Sequence, residues 1–203
     1  MRVSDQIYCI DCSCTDVRYE CFVIPDIDLN PDDVSIVMIS ESAPADPTDY
    51  YYAGDNALFA RTTVQAFQDT GIDVSTFQEI LNLGVYCTSV VKCGKTGYGI
   101  KTETVKRCSL LLEKELALFP NVKVYMLMGD VAIKAVNDIA RRTGEKRVIP
   151  VGSTYKIRRE EYRYRDIRVF PSYLQACPSF FIEKSKRQMI SEDITAALEY
   201  SRR

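Results

Sequence analysis

The stretch that decides the fold is residues 85–116, VYCTSVVKCGKTGYGIKTETVKRCSLLLEKEL. Val85–Val91 is apolar and rich in β-branched side chains, which predicts a buried strand. The strand is expected to end at Lys92, where a loop rich in glycine and lysine begins. Leucines at helical spacing then predict a helix over about Lys101–Leu118. Ligands of open α/β sheets bind where such strands end, so this loop is the first candidate for a functional site.

Two cysteines flank the loop. Cys93 is expected at the end of the strand, and Cys108 lies inside the predicted helix, for which Thr102 or Thr104 is the predicted N-cap. Two cysteines beside a basic loop predict a metal-binding pair next to a site for a polyanion.

The rest of the chain repeats the order strand, then helix. Apolar runs predict strands over Asp33–Ser40, Val122–Met128, Arg147–Val151 and Asp166–Phe170, and helical spacing predicts helices over Ala57–Asp69, Ser75–Leu81, Val131–Arg141 and Phe181–Tyr200. Thr154–Tyr164 is interpreted as a polar hairpin. The pattern predicts an α/β fold, a three-layer α/β/α sandwich around a mostly parallel sheet of about four strands. The length of 203 residues favours a single domain over 1–203.

The charges balance overall but are unevenly distributed. Lysine and arginine total 26 against 28 aspartates and glutamates. The N-terminal third is acidic, whereas 92–106 and the C-terminal third are basic. This asymmetry allows one basic face, as nucleic-acid-binding proteins have, although composition by itself favours an ordinary solvated surface.

The chain contains 0 histidines. This excludes Ser-His-Asp and Cys-His catalysis, zinc-peptidase motifs with paired histidines, and the His-x-Glu deaminase signature. Acid–base chemistry must therefore come from carboxylates, lysine, tyrosine, cysteine or water.

No apolar signal segment begins the sequence, and no run approaches the roughly 20 apolar residues of a membrane helix. An intracellular, cytoplasmic protein without membrane partners is expected. In that compartment the 8 cysteines are expected to be thiols or metal ligands rather than disulfides.

Four cysteines form a candidate metal site. Cys9 and Cys12 are a C-x-x-C pair, and Cys93 and Cys108 follow far along the chain. Four thiolates suit zinc or a [4Fe–4S] cluster, and the wide separation of the second pair is less typical of zinc. Cys14 is equally close and competes with Cys12. From spacing alone, a metal site and scattered core thiols are equally supported.

A second candidate site begins at Glu41, which is expected directly after a buried strand. Asp46 and Asp49 follow, and then the aromatic run Tyr50–Tyr52. Carboxylates beside aromatic faces suit the stacking of a flat base next to an activated water. The simpler interpretation of these residues alone is a solvated acidic loop with one buried tyrosine.

Several stretches together resemble the uracil-DNA glycosylase superfamily, in particular its iron–sulfur branch, family 4. The similarity extends over nearly the whole chain and includes the C-x-x-C of Cys9 and Cys12, SESAP at 40–44 (family GEAPG), YYAG at 51–54 (PFVG), TSVVKC at 88–93 (a strand ending in NVVKC), KRCSLL at 106–111, YMLMG at 125–129 and FPSYL at 170–174 (HPSYL). The resemblance implies a DNA glycosylase that removes uracil or another deaminated or modified base.

Two family residues are replaced. Phe170 stands for the histidine of the catalytic loop, and Ser89 stands for the asparagine that reads the base edge. A phenylalanine can stack but cannot stabilise a departing base anion, and serine offers one short hydroxyl instead of an amide. The alternative is therefore a catalytically inactive DNA- or nucleotide-binding protein on the same iron–sulfur scaffold.

The resemblance also implies a role for each candidate residue. Glu41 orients the attacking water, with Asp46 as the second candidate, and Tyr52, Ser89 and Phe170 surround the base. The implied DNA contacts are phosphate contacts by Lys92, Lys95, Lys101 and Lys106, and a wedge formed by Pro171, Ser172, Tyr173 and Leu174. Cys9, Cys12, Cys93 and Cys108 hold a [4Fe–4S] cluster, or zinc as the alternative, to which the N-terminal segment 1–24 is tied. The implied partner is DNA with a damaged or modified base, and the protein is expected to be a monomer.

Overall fold

The computed structural model describes residues 1–9 and 13–203, and it confirms the predicted α/β/α sandwich. Its sheet has six strands in the order β1-β3-β2-β4-β6-β5. The four central strands β3, β2, β4 and β6 are parallel, and the outer two pair antiparallel to their neighbours. The carboxyl ends of four parallel strands therefore meet along one edge of the sheet.

The elements have these bounds. The strands are β1 Val17–Arg18, β2 Ile36–Ala43, β3 Val85–Lys95, β4 Val124–Met128, β5 Tyr162–Tyr164 and β6 Ile167–Ser172; the helices are α1 Leu58–Gln68, α2 Phe77–Asn82, α3 Thr102–Leu116, α4 Asp130–Arg142, α5 Thr154–Ile157 and α6 Lys184–Ser201. Among the helices of the described residues, none combines the length and apolar character that crossing a bilayer requires.

The central strands are apolar on both faces because helices cover both. In β2, Val37 and Ile39 belong to the core shared with α3 and α4, whereas Ile36 and Met38 belong to the core shared with α1, α2 and α6. The period of two places successive side chains on opposite faces. This explains why the run Ile36–Ile39 is continuously apolar, as strands buried on both sides are.

The sheet exceeds the expected four strands because two very short strands cover its edges. β1 pairs with Gly94 and Lys95 at the end of β3, and β5 pairs with the first half of β6. Neither short strand carries an alternating apolar pattern long enough to be recognised. Short antiparallel edge strands of this kind limit pairing with other chains.

The strand predicted over Arg147–Val151 is wrong. Its backbone is bonded instead by one side chain, that of Asn137 in α4. The Asn137 Oδ1 accepts from the amides of Val148 and Ile149 at 3.0 and 2.9 Å, and its Nδ2 donates to the Ile149 carbonyl at 3.0 Å. A single buried amide therefore satisfies the backbone groups that a neighbouring strand would otherwise have paired.

The hairpin predicted over Thr154–Tyr164 is also wrong in its position. The segment begins with the short helix α5, and the hairpin joins β5 to β6. Its turn contains Arg165 at φ 53°, the one non-glycine residue with positive φ among those described. The polar composition of the segment gave no sign of this division.

β3 continues to Lys95, so the prediction that it stops at Lys92 is wrong. Ser42 pairs with Val91 and Ala43 pairs with Gly94, which leaves Lys92 and Cys93 in a bulge. The predicted threonine caps of α3 are wrong as well, since Lys101 is the N-cap residue and makes no side-chain cap. Asp16 supplies the cap from outside the helix by accepting from the Lys101 amide at 2.6 Å.

Candidate active site

A cavity of about 460 Å³ lies at the carboxyl edge of the parallel strands. Its size is that of a small-ligand pocket. The residues around it come from the end of β2, the start of α1, the end of β3 and the loop after β6: Glu41, Ser42, Ala43, Pro44, Ala45, Asp46, Asp49, Leu58, Phe59, Lys95, Gly97, Leu174, Ala176, Cys177 and Pro178. The fold thus gathers four of the predicted site residues, Glu41, Asp46, Lys95 and Leu174, around one space.

Glu41 lies inside β2 rather than after it, since the strand runs to Ala43. Its side chain passes over Gly129, the N-cap residue of α4. A Cβ on Gly129 would lie 2.6 Å from the Glu41 Oε1, and Gly129 has φ 101°, a conformation that favours glycine. The carboxylate therefore occupies space that only a glycine leaves open, beside the positive end of a 13-residue helix.

Asp46 and Asp49 both stabilise local backbone. The Asp46 Oδ1 accepts from the Thr48 hydroxyl at 2.7 Å and from the Thr48 amide at 2.9 Å, and these bonds hold the pKa of Asp46 below its ordinary value. Asp49 accepts from the Leu58 amide at 3.2 Å at the start of α1. Asp46 is thus ionised but already engaged, which leaves Glu41 as the better placed of the two catalytic candidates.

The structure places Tyr52 at the open edge of β3, outside the cavity that contains Glu41. Its hydroxyl donates to the Cys87 carbonyl at 2.8 Å and accepts from the Cys87 amide at 3.0 Å. Its ring stacks on Tyr86, with centroids 6.2 Å apart, and meets Phe77 edge-on at 5.1 Å. In this arrangement Tyr52 replaces a missing neighbouring strand and does not present a free face to a base.

We expect Tyr52→Phe to lower the free energy of unfolding by about 1–3 kcal/mol, since two backbone groups of Cys87 lose their partner while the ring packing is kept. Urea unfolding of the two proteins measures the loss. Tyr162→Phe is a suitable control because Tyr162 lies in the short edge strand β5, and the structure assigns its hydroxyl no hydrogen bond to a described residue. If Tyr52→Phe is as stable as the parent protein, Tyr52 does not stabilise the open edge of β3, and base stacking becomes the better interpretation of this residue.

Ser89 and Phe170 do not reach the cavity in this structure. Ser89 is fully buried in β3 and donates to the Val91 carbonyl at 3.1 Å. Phe170 is buried in β6, with the Arg168 guanidinium 4.5 Å from its ring centroid. Neither side chain lines the cavity that contains Glu41, and the contact of each with a base stays a prediction. Close by, the buried Tyr50 hydroxyl has no hydrogen-bond partner among the described residues.

The predicted wedge is split between strand and loop. Pro171 and Ser172 are buried residues of β6, and the Ser172 hydroxyl donates to Asp193 at 2.5 Å. The expectation that these two residues insert into DNA is therefore wrong for this conformation. Tyr173 and Leu174 follow the strand and are half-buried, with Leu174 at the cavity.

Lys92 does not contact solvent, so its predicted phosphate contact is wrong. Its ammonium is buried and donates to the Glu115 carboxylate, to the Thr88 hydroxyl at 2.6 Å and to the Ser89 carbonyl at 2.7 Å. Two other lysines are less buried. Lys95 lines the cavity, and Lys101 is exposed and donates to Thr15 at 2.9 Å. Lys106, also exposed, pairs with Glu103 at 3.2 Å.

Sequence reasoning missed several residues of the cavity, notably Phe59 and Cys177. Phe59 is the second residue of α1, and it looks in sequence like an ordinary core residue of an amphipathic helix. It is the one aromatic ring among the residues that line the cavity. The only residue of the sequence analysis that bears on the position of Phe59 was Asp49, because Asp49 caps Leu58 and so sets where α1 begins.

A second cavity, of about 280 Å³, brings the cysteines together. Cys9, Cys14, Cys93 and Cys108 all line it, together with the cationic side chains of Lys92, Arg107 and Lys114. Cys12 lies outside the described residues, so its predicted ligand role is not addressed. Within 1–9 and 13–203, no three cysteine, aspartate or glutamate side chains are grouped closely enough to bind a single metal ion.

Comparison with known families decides the relationship of this fold. The model of the family described as the uracil DNA glycosylase superfamily matches residues 27–193. The chain belongs to this superfamily. A solved structure titled "The WT UNG crystal structure from Nitratifractor salsuginis" is similar at 13% identity and a TM-score of 0.36, over 84% of this chain and 75% of that chain. A search among curated proteins finds no match.

Membership in the uracil DNA glycosylase superfamily confirms the broad resemblance seen in the motifs. The family match covers β2 to the middle of α6, and it therefore includes Glu41, Lys95 and Leu174. The assignment to the iron–sulfur branch, the single domain over 1–203 and the roles of individual residues remain predictions.

Proposed function

We propose that this protein is a DNA glycosylase of the iron–sulfur branch, which hydrolyses the N-glycosidic bond of uracil or of another deaminated or modified base in DNA. Proteins of this superfamily are generally N-glycosylases. The observation that carries the proposal is the convergence of Glu41, Asp46, Lys95 and Leu174 on one cavity at the carboxyl edge of the sheet.

The proposed reaction forms a bond between a water oxygen and the sugar C1′ and breaks the bond between C1′ and the base nitrogen. The base leaves with the electron pair of that bond and is then protonated, and the water gives up one proton and keeps the other as the hydroxyl on C1′. The Glu41 carboxylate orients the water and stabilises the positive charge that develops on the sugar. Lys95 faces the negative DNA, and Leu174 fills the place of the flipped nucleotide.

The base contacts in this proposal differ from the pattern of the resemblance. With Tyr52, Ser89 and Phe170 packed in the interior, the stacking face in the cavity is Phe59. The chain has 0 histidines, so no imidazole can take the role of the family histidine near the leaving base. We therefore expect the rate to depend strongly on how easily the base departs as an anion, so that 5-fluorouracil is released faster than uracil.

The test is base release under single-turnover conditions. Protein in excess is mixed with oligonucleotides that contain uracil, 5-fluorouracil, hypoxanthine or xanthine, and abasic sites are revealed by alkaline cleavage. Release of any of these bases supports the proposal and names the substrate. If DNA binds but no base is released from any oligonucleotide, glycosylase activity on these bases is refuted.

The second candidate function is a DNA-binding protein that no longer cuts. The burial of Ser89 and Phe170 favours it, since the two positions where the family reads and releases the base are closed here. Duplex DNA binding that weakens steeply with salt, without base release, is the result expected of this second function.

We further propose that the cysteine cavity holds the [4Fe–4S] cluster, through Cys9, Cys93, Cys108 and either Cys12 or Cys14. The donor set fits, because four thiols line or flank one cavity with cationic neighbours that suit an anionic cluster. The wide separation of Cys93 and Cys108 along the chain is less typical of zinc, whose ribbon sites usually take a second close pair of cysteines. The cluster would tie the N-terminal segment to β3 and α3.

Replacing Cys93 by serine is expected to abolish iron binding, to remove the visible absorbance of the anaerobically purified protein and to lower its melting temperature. Iron, sulfide and zinc analysis provides the measurement. Cys21→Ser is the control, since Cys21 lies in the same N-terminal segment but outside the cysteine cavity. Its thiol donates to the Ala45 carbonyl. Comparing Cys12→Ser with Cys14→Ser identifies the fourth ligand. Full iron content in Cys93→Ser would contradict the assignment.

A further inference from the structure

An exposed tyrosine stands at the tip of the loop between β3 and α3. The loop 96–100 reads TGYGI, and its central residue, Tyr98, is 101% exposed. Gly97 and Gly99 flank it, and a Cβ at either glycine would meet no atom within 4 Å. The ring therefore projects from a narrow loop, away from the side chains of its own fold.

The loop that carries Tyr98 is held at both ends by one residue. The Asp16 carbonyl accepts from the Thr96 amide at 3.0 Å, and the Asp16 carboxylate accepts from the Lys101 amide at 2.6 Å and from the Thr104 hydroxyl at 2.5 Å. The Lys95 ammonium also donates to the Tyr98 carbonyl at 3.2 Å. These bonds reduce the freedom of the loop, so presenting the ring costs little additional ordering on binding.

The loop lies next to the candidate active site and is flanked by two lysines. Gly97 and Lys95 line the same cavity as Glu41. Lys95 precedes the loop and Lys101 follows it, so the loop has a lysine at each end. An exposed aromatic ring on a loop with a lysine at each end complements a nucleic acid strand, which offers base faces between phosphates.

We propose that Tyr98 stacks on a DNA base next to the nucleotide that enters the cavity, while Lys95 and Lys101 contact the flanking phosphates. This inference rests on the proposed function and adds a second DNA contact, on the β3 side of the cavity, opposite the loop of Leu174. The base that stacks on Tyr98 is an unpaired or unstacked base of the DNA strand. A ring at the tip of a loop reaches the face of a base only where the stacking of neighbouring bases is interrupted.

The chain offers an unusually direct probe, because it contains 0 tryptophans. Tyr98→Trp gives a protein with one indole at the proposed contact, and base stacking quenches indole fluorescence. The ligand is a duplex with an abasic site, which no glycosylase reaction can alter. We expect strong quenching on binding, and we expect Tyr98→Ala to bind this duplex roughly 5- to 100-fold more weakly than the parent protein. Tyr98→Phe is expected to bind as the parent does.

The control is Tyr155, which is also exposed but lies in α5. Tyr155→Trp is expected to keep its fluorescence on binding, and Tyr155→Ala is expected to keep its affinity. Since the Tyr98 side chain is fully exposed, Tyr98→Ala should melt as the parent protein does, which separates binding from folding.

The outcomes distinguish this inference from the proposed function. If Tyr98→Trp binds the duplex without quenching, or if Tyr98→Ala binds it as tightly as the parent protein, the stacking role of Tyr98 is overturned while the glycosylase proposal stands. If the parent protein binds no DNA at all, both the proposed function and the stacking role of Tyr98 are refuted.

Discussion

Replacing Glu41 by glutamine is expected to lower the rate of base release by about 100- to 1,000-fold, the usual effect of removing one group that stabilises charge in a transition state. Glutamine keeps the size of the side chain and removes its negative charge. The positive charge that develops on the sugar would lose its nearest carboxylate, and the attacking water would lose its acceptor. Single-turnover base release, with the best substrate of the panel, measures the change.

Two further variants separate the chemistry of Glu41 from its position. Gly129→Ala keeps the carboxylate but places a methyl group 2.6 Å from the present position of its Oε1, so the side chain must move and a large loss of rate is expected there too. Asp46→Asn is expected to reduce the rate much less, because Asp46 is already engaged with Thr48. If Asp46→Asn loses more activity than Glu41→Gln, the order of the two carboxylates in this proposal is wrong.

The largest effect on stability is expected from Glu115→Ala, which should lower the free energy of unfolding by about 3–5 kcal/mol. Glu115 and Lys92 are 0% and 1% exposed, and the carboxylate also accepts from the hydroxyls of Tyr86 at 2.7 Å and Thr88 at 2.8 Å. Removing the carboxylate leaves a buried ammonium without its counter-charge and two buried hydroxyls without their acceptor. Urea unfolding measures the loss.

An exposed ion pair on the same helix provides the matched control. Glu103 pairs with Lys106, but its side chain is 76% exposed, so Glu103→Ala is expected to change stability by no more than about 0.5 kcal/mol. The double variant Lys92→Met with Glu115→Leu removes both charges and should recover much of the loss. A loss below about 1 kcal/mol in Glu115→Ala would show that the pair is not the buried, fully bonded unit described here.

The buried pair also has a consequence for the cysteine cavity. Lys92 precedes Cys93 in the bulge of β3, and Glu115 lies in α3, the helix that carries Cys108. The ion pair therefore joins the two elements that carry both downstream cysteines. We infer that its main role is to set the spacing of this strand and helix, which a pair of apolar side chains would define less sharply.

The arrangement of the parallel sheet was predictable because the signals are local. A mostly apolar run rich in β-branched residues, such as Val85–Val91, indicates a strand that is buried on both faces. Helical spacing of apolar residues, such as that of 131–141, indicates a helix that is buried on one face. Repetition of strand and helix then leaves few possible topologies. The carboxylate Glu41 at the carboxyl edge and the cysteine pair around the loop follow from the same reasoning.

Only the tertiary structure decided which of the expected side chains reach the cavity. Lys92, Ser89 and Tyr52 look in sequence like polar site residues, yet they bond Glu115, the Val91 carbonyl and Cys87 in the interior. Their partners lie 23, 2 and 35 residues away, and two of these three separations exceed any local pattern. A side chain's direction depends on where a bulge falls and on which distant group needs a partner.

The sequence by itself thus determined the layers of this protein, its lack of histidine chemistry and the edge of the sheet where a site forms. The tertiary structure decided which residues line the cavity at that edge. It buried a predicted phosphate ligand in an ion pair, used a predicted base-stacking ring to close a strand edge, and presented Tyr98, which no pattern had marked, to solvent. The physical reason is that the burial of a strand or helix produces a local pattern of apolar residues in the sequence. The pairing of buried polar groups depends instead on residues that only the fold brings together.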